Sequence, residues 1–129
     1  MTIQAMNHFT ILAEDLEVTR QFYRDVLGFR EGYRPPFRFP GIWFYVGDRA
    51  ILHAIGRKPL PKERGGVLDH MAYSATGLKD WIDRLTHHGI AHEVRRLPEG
   101  GTWQVFFLDP NGAKIELDFD PAEEPASAP

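Results

Sequence analysis

Apolar and polar residues alternate with a period of two over several short stretches of this chain, and with a period near 3.6 over two longer ones. In Met6–Ala13, His8 and Thr10 share one strand face with Met6 and Leu12. Phe9 and Ile11 share the other, which makes theirs the core side. Asp15 then stands where a helix N-cap belongs. Leu16, Phe22, Tyr23, Val26 and Leu27 recur at helical spacing and Gly28 suits a left-handed stop, which predicts a helix of about three and a half turns. Strands follow over Phe29–Tyr33, Ile42–Val46 and Ala50–Ile55, with Gly47-Asp48-Arg49 as a turn and Pro35–Gly41 as a bulky irregular loop.

The stretch Gly56–Gly66, rich in proline, glycine and basic residues, reads as a linker, and after it the order restarts. Leu68–Ser74 is a predicted strand, Leu78–His88 an amphipathic helix stopped by Gly89, and Ile90–Val94, Trp103–Leu108 and Ala113–Phe119 are strands. In the last of these, Ala113, Ile115, Leu117 and Phe119 form the apolar face. Glu116 points the other way, its register set by the turn Asp109-Pro110-Asn111-Gly112. The fold class is therefore α+β. It comprises a β-α-β-β-β module over 1–56, a linker over 57–66, a second such module over 67–120 and a disordered tail over 121–129.

A shift of about 62 residues lays one module on the other, and the match extends to polar side chains. Asn7-His8-Phe9 falls on Asp69-His70-Met71, and Ala50-Ile51-Leu52-His53 falls on Ala113-Lys114-Ile115-Glu116. The first strand of each module thus carries a histidine, and the last carries His53 in one module and Glu116 in the other. Two like modules with curved sheets, related by a pseudo-two-fold axis, would bring these four residues into a shared concavity. Imidazole and carboxylate together suit a divalent transition metal (Fe, Mn, Ni, Co or Zn) better than Ca or Mg. His8, His70 and Glu116 are the leading candidates, with His53 as a ligand or as a residue that tunes the site. His87, His88 and His92 have no repeated partners; His87 and His88 suit a helix C-terminus, where positive charge meets the dipole.

Composition narrows the picture further. The chain has 129 residues, 43% of them hydrophobic and 12% aromatic, which is ample for a core. A net charge of -3 offers no basic face for nucleic acid, and no apolar run reaches the roughly 20 residues of a membrane span. With no cysteine there is neither a disulfide scaffold nor a thiolate ligand. The N-terminal residues lack the features of a signal peptide, so the expectation is a cytoplasmic protein.

The ordered set Asn7-His8-Phe9-Thr10, Phe22–Phe29, Leu68-Asp69-His70 and Phe107–Glu116 resembles the vicinal oxygen chelate superfamily, which includes glyoxalase I, extradiol dioxygenases and bleomycin-binding proteins. The resemblance implies paired β-α-β-β-β modules, a metal held by the first and last strands of both, and a homodimer. It also implies chemistry on a small molecule with vicinal oxygens. Glyoxalase-like enzymes use all four positions, filled here by His8, His53, His70 and Glu116, with Glu116 as both ligand and base. A ring-cleaving dioxygenase is the alternative enzyme, although Phe106 stands where the dioxygenase signature carries a tyrosine. A metal-free binding or resistance protein is the alternative from another class. Strand parity places Trp43, Tyr45, Gln104 and Phe106 on the pocket side with Thr10, Tyr45 being the candidate acidic hydroxyl. Arg34 and Arg38, in the proline-rich loop, are candidates to hold an anionic substrate group.

Overall fold

A computed structural model describes residues 1–126. The chain divides between Lys62 and Glu63 into two units, each built on a four-stranded sheet. This is the expected α+β class, with one four-stranded sheet in each unit.

In the first unit, β1 (Phe9–Ala13), β2 (Arg30–Glu31), β3 (Gly41–Val46) and β4 (Arg49–Gly56) assemble in the order β1-β4-β3-β2. β1 runs parallel to β4, whereas β3 is antiparallel to both β4 and β2. Ile42, Phe44, Leu52 and Ala54 bury one face of the sheet, and α1 (Leu16–Gln21) packs against β3 and β4. Asp15 caps that helix, accepting from the backbone N–H groups of Glu17 and Val18 at 2.9 and 3.1 Å. The expected continuous helix differs in its second half, where Phe22–Val26 winds as a π-helical turn. The wider turn lets Phe22, Tyr23, Val26 and Leu27 all reach the core, which a regular helix would spread around a larger arc.

The second unit repeats the plan with β5 (Met71–Ser74), α2 (Leu78–His87), β6 (His92–Arg96), β7 (Trp103–Leu108) and β8 (Lys114–Phe119), in the sheet order β5-β8-β7-β6. Again the first and last strands are parallel and the others antiparallel. Leu78 and Leu85 of α2 are fully buried, as are Val105 and Ile115 of the sheet. The turn before β8 is held by the buried Asp109, whose Oδ1 accepts from the N–H groups of Asn111 and Ala113, both at 2.8 Å. Gly112 sits there at φ +89°, and a Cβ would come within 2.9 Å of Arg64, so no other residue fits this backbone without strain.

Strand limits also differ from expectation. β1 and β5 start at Phe9 and Met71, so His8 and His70 stand one residue before each strand. β2 shrinks to two residues, and β6 lies two residues later than its predicted span. The segment expected to be a disordered tail opens instead with an ordered turn. Ala122 N–H donates to Asp120 Oδ1 at 2.8 Å, and the Glu123 carboxylate accepts from Gly77 and Leu78 N–H at 2.8 and 2.9 Å. The physical reason is that Gly77, at the N-cap of α2, has no side chain to satisfy those donors. Residues 127–129 of the expected tail lie outside the described residues.

Glu123→Ala is expected to destabilise the fold by about 1 kcal/mol, the usual cost of a lost N-cap. Urea denaturation would show a lower midpoint with an unchanged slope; an unmoved midpoint would mean the cap contributes nothing.

Candidate metal and substrate site

Because β5 and β8 are parallel with Ala72 opposite Glu116, the residue two positions before Ala72 reaches the middle of β8. That residue is His70. Its Nε2 lies 2.6 Å from Glu116 Oε2, and its Nδ1 donates to Asp69 Oδ2 at 2.7 Å. Glu116 is only 4% exposed, an environment that a carboxylate tolerates only with hydrogen-bond or ionic partners. Gln104 provides one, its Nε2 donating to Glu116 Oε1 at 2.5 Å. The Phe106 ring meets the His70 ring edge-on at 5.8 Å and carries the Arg95 guanidinium at 4.9 Å and the Lys114 ammonium at 5.3 Å.

Asp118 completes this face. It stands opposite Gln104 on β7 and hydrogen-bonds to Glu116. Burial first, and then the neighbouring Glu116 carboxylate, push the Asp118 carboxyl up to about 6. Its Oδ1 is buried without a hydrogen-bond partner among the described residues. In contrast, Asp69 is held below the usual carboxylate range, mainly by its bond to His70 and then by Lys114.

In the first unit, the matching positions produce a different contact. His8 and His53 stack face to face, with ring centroids 3.8 Å apart and planes inclined by 14°. The opposite face of His53 lies on Trp43, at 3.9 Å and 10°. His53 Nε2 donates to the Ala50 carbonyl at 3.1 Å, while His8 Nδ1 donates to Asn7 Oδ1 at 2.6 Å. Burial, followed by the neighbouring His8 ring, lowers the His53 pKa; Arg34 adds to this and the Ala50 bond opposes it. Thr10 is opposite His53 on β1 and lies on the same face.

The structure thus brings His8, His53, Trp43 and Thr10 together in one unit and His70, Glu116, Gln104 and Phe106 in the other. Within either unit, among the described residues, no group of three or more His, Asp or Glu forms a metal cage. Tyr45 does not join its group: it lies at the bulge in β3, under the Arg30 guanidinium, and its hydroxyl donates to Tyr33 O at 2.5 Å. Arg34 lies with its guanidinium 4.9 and 5.0 Å from the Phe37 and Phe39 rings and donates to Phe39 O at 3.0 Å. It acts electrostatically on His53, whereas Arg38 is exposed in the loop.

Sequence reasoning passed over three contributors. Asn7 and Asp69 each accept from the Nδ1 of the following histidine, which orients both rings and leaves Nε2 free of that bond. Their signal was the Asn-His and Asp-His pairs at matched repeat positions. Asp118 shares the polar face of β8 with Glu116, a parity visible in the sequence without its consequence.

The sequence model of the glyoxalase/bleomycin resistance protein/dioxygenase superfamily matches residues 5–117. The chain belongs to this superfamily. Relatives within it include Glyoxylase I 4 of Arabidopsis thaliana, 28% identical, covering 89% of this chain and 70% of the relative. Metapyrocatechase of Geobacillus stearothermophilus is also 28% identical over 89% of the chain, which spans 37% of that longer protein. Among solved structures, a variant of the fosfomycin resistance protein FosX from Listeria monocytogenes, complexed with Mn(II) and a dihydroxypropylphosphonic acid, shares the fold. Its TM-score is 0.75 at 16% identity, covering 92% of this chain and 94% of that one. The glyoxalase-family fold of paired modules is therefore established for this chain, in a superfamily whose named members include lyases and dioxygenases.

With chelator present throughout, His70→Ala is expected to cost about 1–3 kcal/mol, because Glu116 then keeps a buried oxygen without its imidazole partner. His8→Ala, at the matching but exposed position, is expected to change stability by no more than about 0.5 kcal/mol. Equal losses in the two variants, read by urea denaturation in chelator, would contradict the asymmetry between the units.

Proposed function

We propose that this protein is a divalent-metal-dependent enzyme that moves a proton on a small molecule with vicinal oxygens, in the manner of a glyoxalase-like lyase or isomerase. The observation that carries this reading is the His70–Glu116 pair: a nearly buried carboxylate oxygen 2.6 Å from an imidazole nitrogen whose other nitrogen is already anchored. An imidazole nitrogen and a carboxylate oxygen are both metal-ligating types, so the donor set fits Fe, Mn, Ni, Co or Zn. The ligands are His70 and Glu116 with His8 from the equivalent position of the other module, and His53 beside it. When bound, such an ion supplies Lewis acidity toward the two oxygens of the substrate.

The chain's own residues do the rest. Glu116 is the candidate base for the carbon-bound proton, and Gln104 keeps its Oε1 oriented. Asp118, hydrogen-bonded to Glu116, is placed to take that proton and return it to the adjacent carbon. On this reading Thr10 and Trp43 in one unit and Phe106 in the other contact the substrate, and Arg34 or Arg38 meets an anionic group of it. The hydroxyl of Tyr45 is committed to the backbone, which removes its main qualification as a catalytic acid. The protein acts as a homodimer on this reading.

The similarity to metapyrocatechase supports a second reading, an extradiol-type dioxygenase using His8, His70 and Glu116 with iron or manganese. Against it, Phe106 packs on His70 where an acid/base side chain would be wanted.

Elemental analysis of untagged protein purified anaerobically is expected to find about one transition metal per chain, and Glu116→Ala is expected to lose it while remaining folded. Oxygen uptake with a catechol would move the assignment to the dioxygenase. Absence of metal after reconstitution, or retention of it in the Glu116 variant, would remove the site and leave a small-molecule binding protein.

A further inference from the structure

The end of β7 and the start of β8 border a cleft of about 290 Å³ in the second unit, one row of side chains beyond Glu116. We propose that this cleft is a subsite for a small organic acid, with Lys114 holding the carboxylate and Leu108 and Phe106 covering its apolar body. The subsite lies wholly within the second unit and needs no metal to bind. That its occupant is the substrate, which would make the substrate an organic acid, rests on the metal-dependent reading above.

The cleft follows from the register of the sheet. Leu108 of β7 is opposite Lys114 of β8 and Phe106 is opposite Glu116, so these four side chains share one face in two neighbouring rows. On β6, Glu93 is opposite Phe106, and Ala91, two residues earlier, lines the cleft beside Leu108 with only a methyl group. A larger side chain there would fill the space. With alanine it stays open, and Leu108 keeps 56% of its surface exposed. An exposed leucine alone is ordinary, but one that walls a cleft beside a cation is a binding surface for an amphipathic molecule.

Charge selects the occupant. Arg95 gives its Nε and Nη2 hydrogens to the Glu93 carboxylate at 2.8 and 2.9 Å, so that pair is closed on itself. Lys114 carries three donors, and its contact with Asp69 Oδ2 is 3.5 Å long, at the outer limit of a hydrogen bond. The same Asp69 oxygen accepts from His70 Nδ1 at 2.7 Å, the shorter and stronger bond. Lys114 therefore has donors to spare for a carboxylate. A cationic ligand laid against Phe106 would instead meet two like charges, because the Arg95 and Lys114 groups stand 4.9 and 5.3 Å from that ring. An inorganic anion would leave Leu108 and Phe106 uncovered. The volume is that of about ten molecules of liquid water, room for a one-ring acid of roughly ten non-hydrogen atoms.

The test is titration of the full chain with phenylacetate as the probe, as purified and again with chelator, followed through the backbone amide shifts. Saturable shifts at residues 91–93, Leu108 and Lys114 are expected, equal with and without chelator. Lys114→Arg keeps the charge and is expected to bind within about threefold of the parent, and Lys114→Met about tenfold or more weakly, the scale of one charge-assisted hydrogen bond. Ala91→Phe fills the cleft without touching the charge and is expected to abolish saturation. Phenethylamine and phenylacetamide, the cationic and neutral counterparts, are expected to bind at least about tenfold more weakly than phenylacetate. Equal binding of the three probes, or of the parent and Lys114→Met, would overturn the role of Lys114. Shifts that vanish with chelator would put the carboxylate on a metal and overturn the subsite. Binding that persists in a chain found to hold no metal would support the subsite and remove only the metal-dependent reading, so the two fail separately.

Discussion

A carboxylate with 4% of its surface exposed is unfavourable unless its oxygens are occupied, and the polar face of the second sheet is arranged around meeting that demand at Glu116. Gln104 serves one oxygen and His70 the other, while Asp118 lies beside them with its own carboxyl pushed toward the protonated form. Breaking a buried ion pair is costly, yet replacing one outright with apolar residues is often neutral or stabilising. Such an arrangement is therefore poorly explained by stability alone. It is well explained by a site that exchanges a proton or an ion at that point.

The constraint that positions these groups is the parallel pairing of the first and last strands in each module. With Thr10 opposite His53 and Ala72 opposite Glu116, the residue just ahead of each first strand meets the middle of its last strand. One topology then has two outcomes, decided by side-chain chemistry. Histidine beside glutamate makes a close polar contact at 2.6 Å, and histidine beside histidine forms a stack that a tryptophan extends.

Membership of the superfamily establishes the fold and a range of chemistry, and at 28% identity it does not select a reaction. The proposed proton transfer draws its support from particular residues. Phe106 packs between His70, Arg95 and Lys114, which gives that side of Glu116 an apolar ring rimmed with positive charge and no acid/base helper. Glu116 and Asp118, by contrast, form an adjacent pair of carboxyls suited to moving one proton.

Alternation, capping residues and the repeat of Asn-His on Asp-His were enough to read two β-α-β-β-β modules and to single out His8, His53, His70 and Glu116. Those signals are local, because a strand's two faces and a helix's caps are decided by neighbours in the chain. The same locality is why the π-helical turn at Phe22–Val26 and the Glu123 cap on α2 were not legible: each answers a demand made by residues packed from elsewhere. Tyr45 shows the limit most plainly, since alternation placed it with Trp43 and a bulge in β3 led its hydroxyl to Tyr33. The sequence by itself determined which residue types stand at equivalent places in the two modules. Only the tertiary structure decided that Glu116 is buried against His70 while His53 lies flat between His8 and Trp43, because burial and ring orientation depend on cross-strand neighbours that no local pattern records.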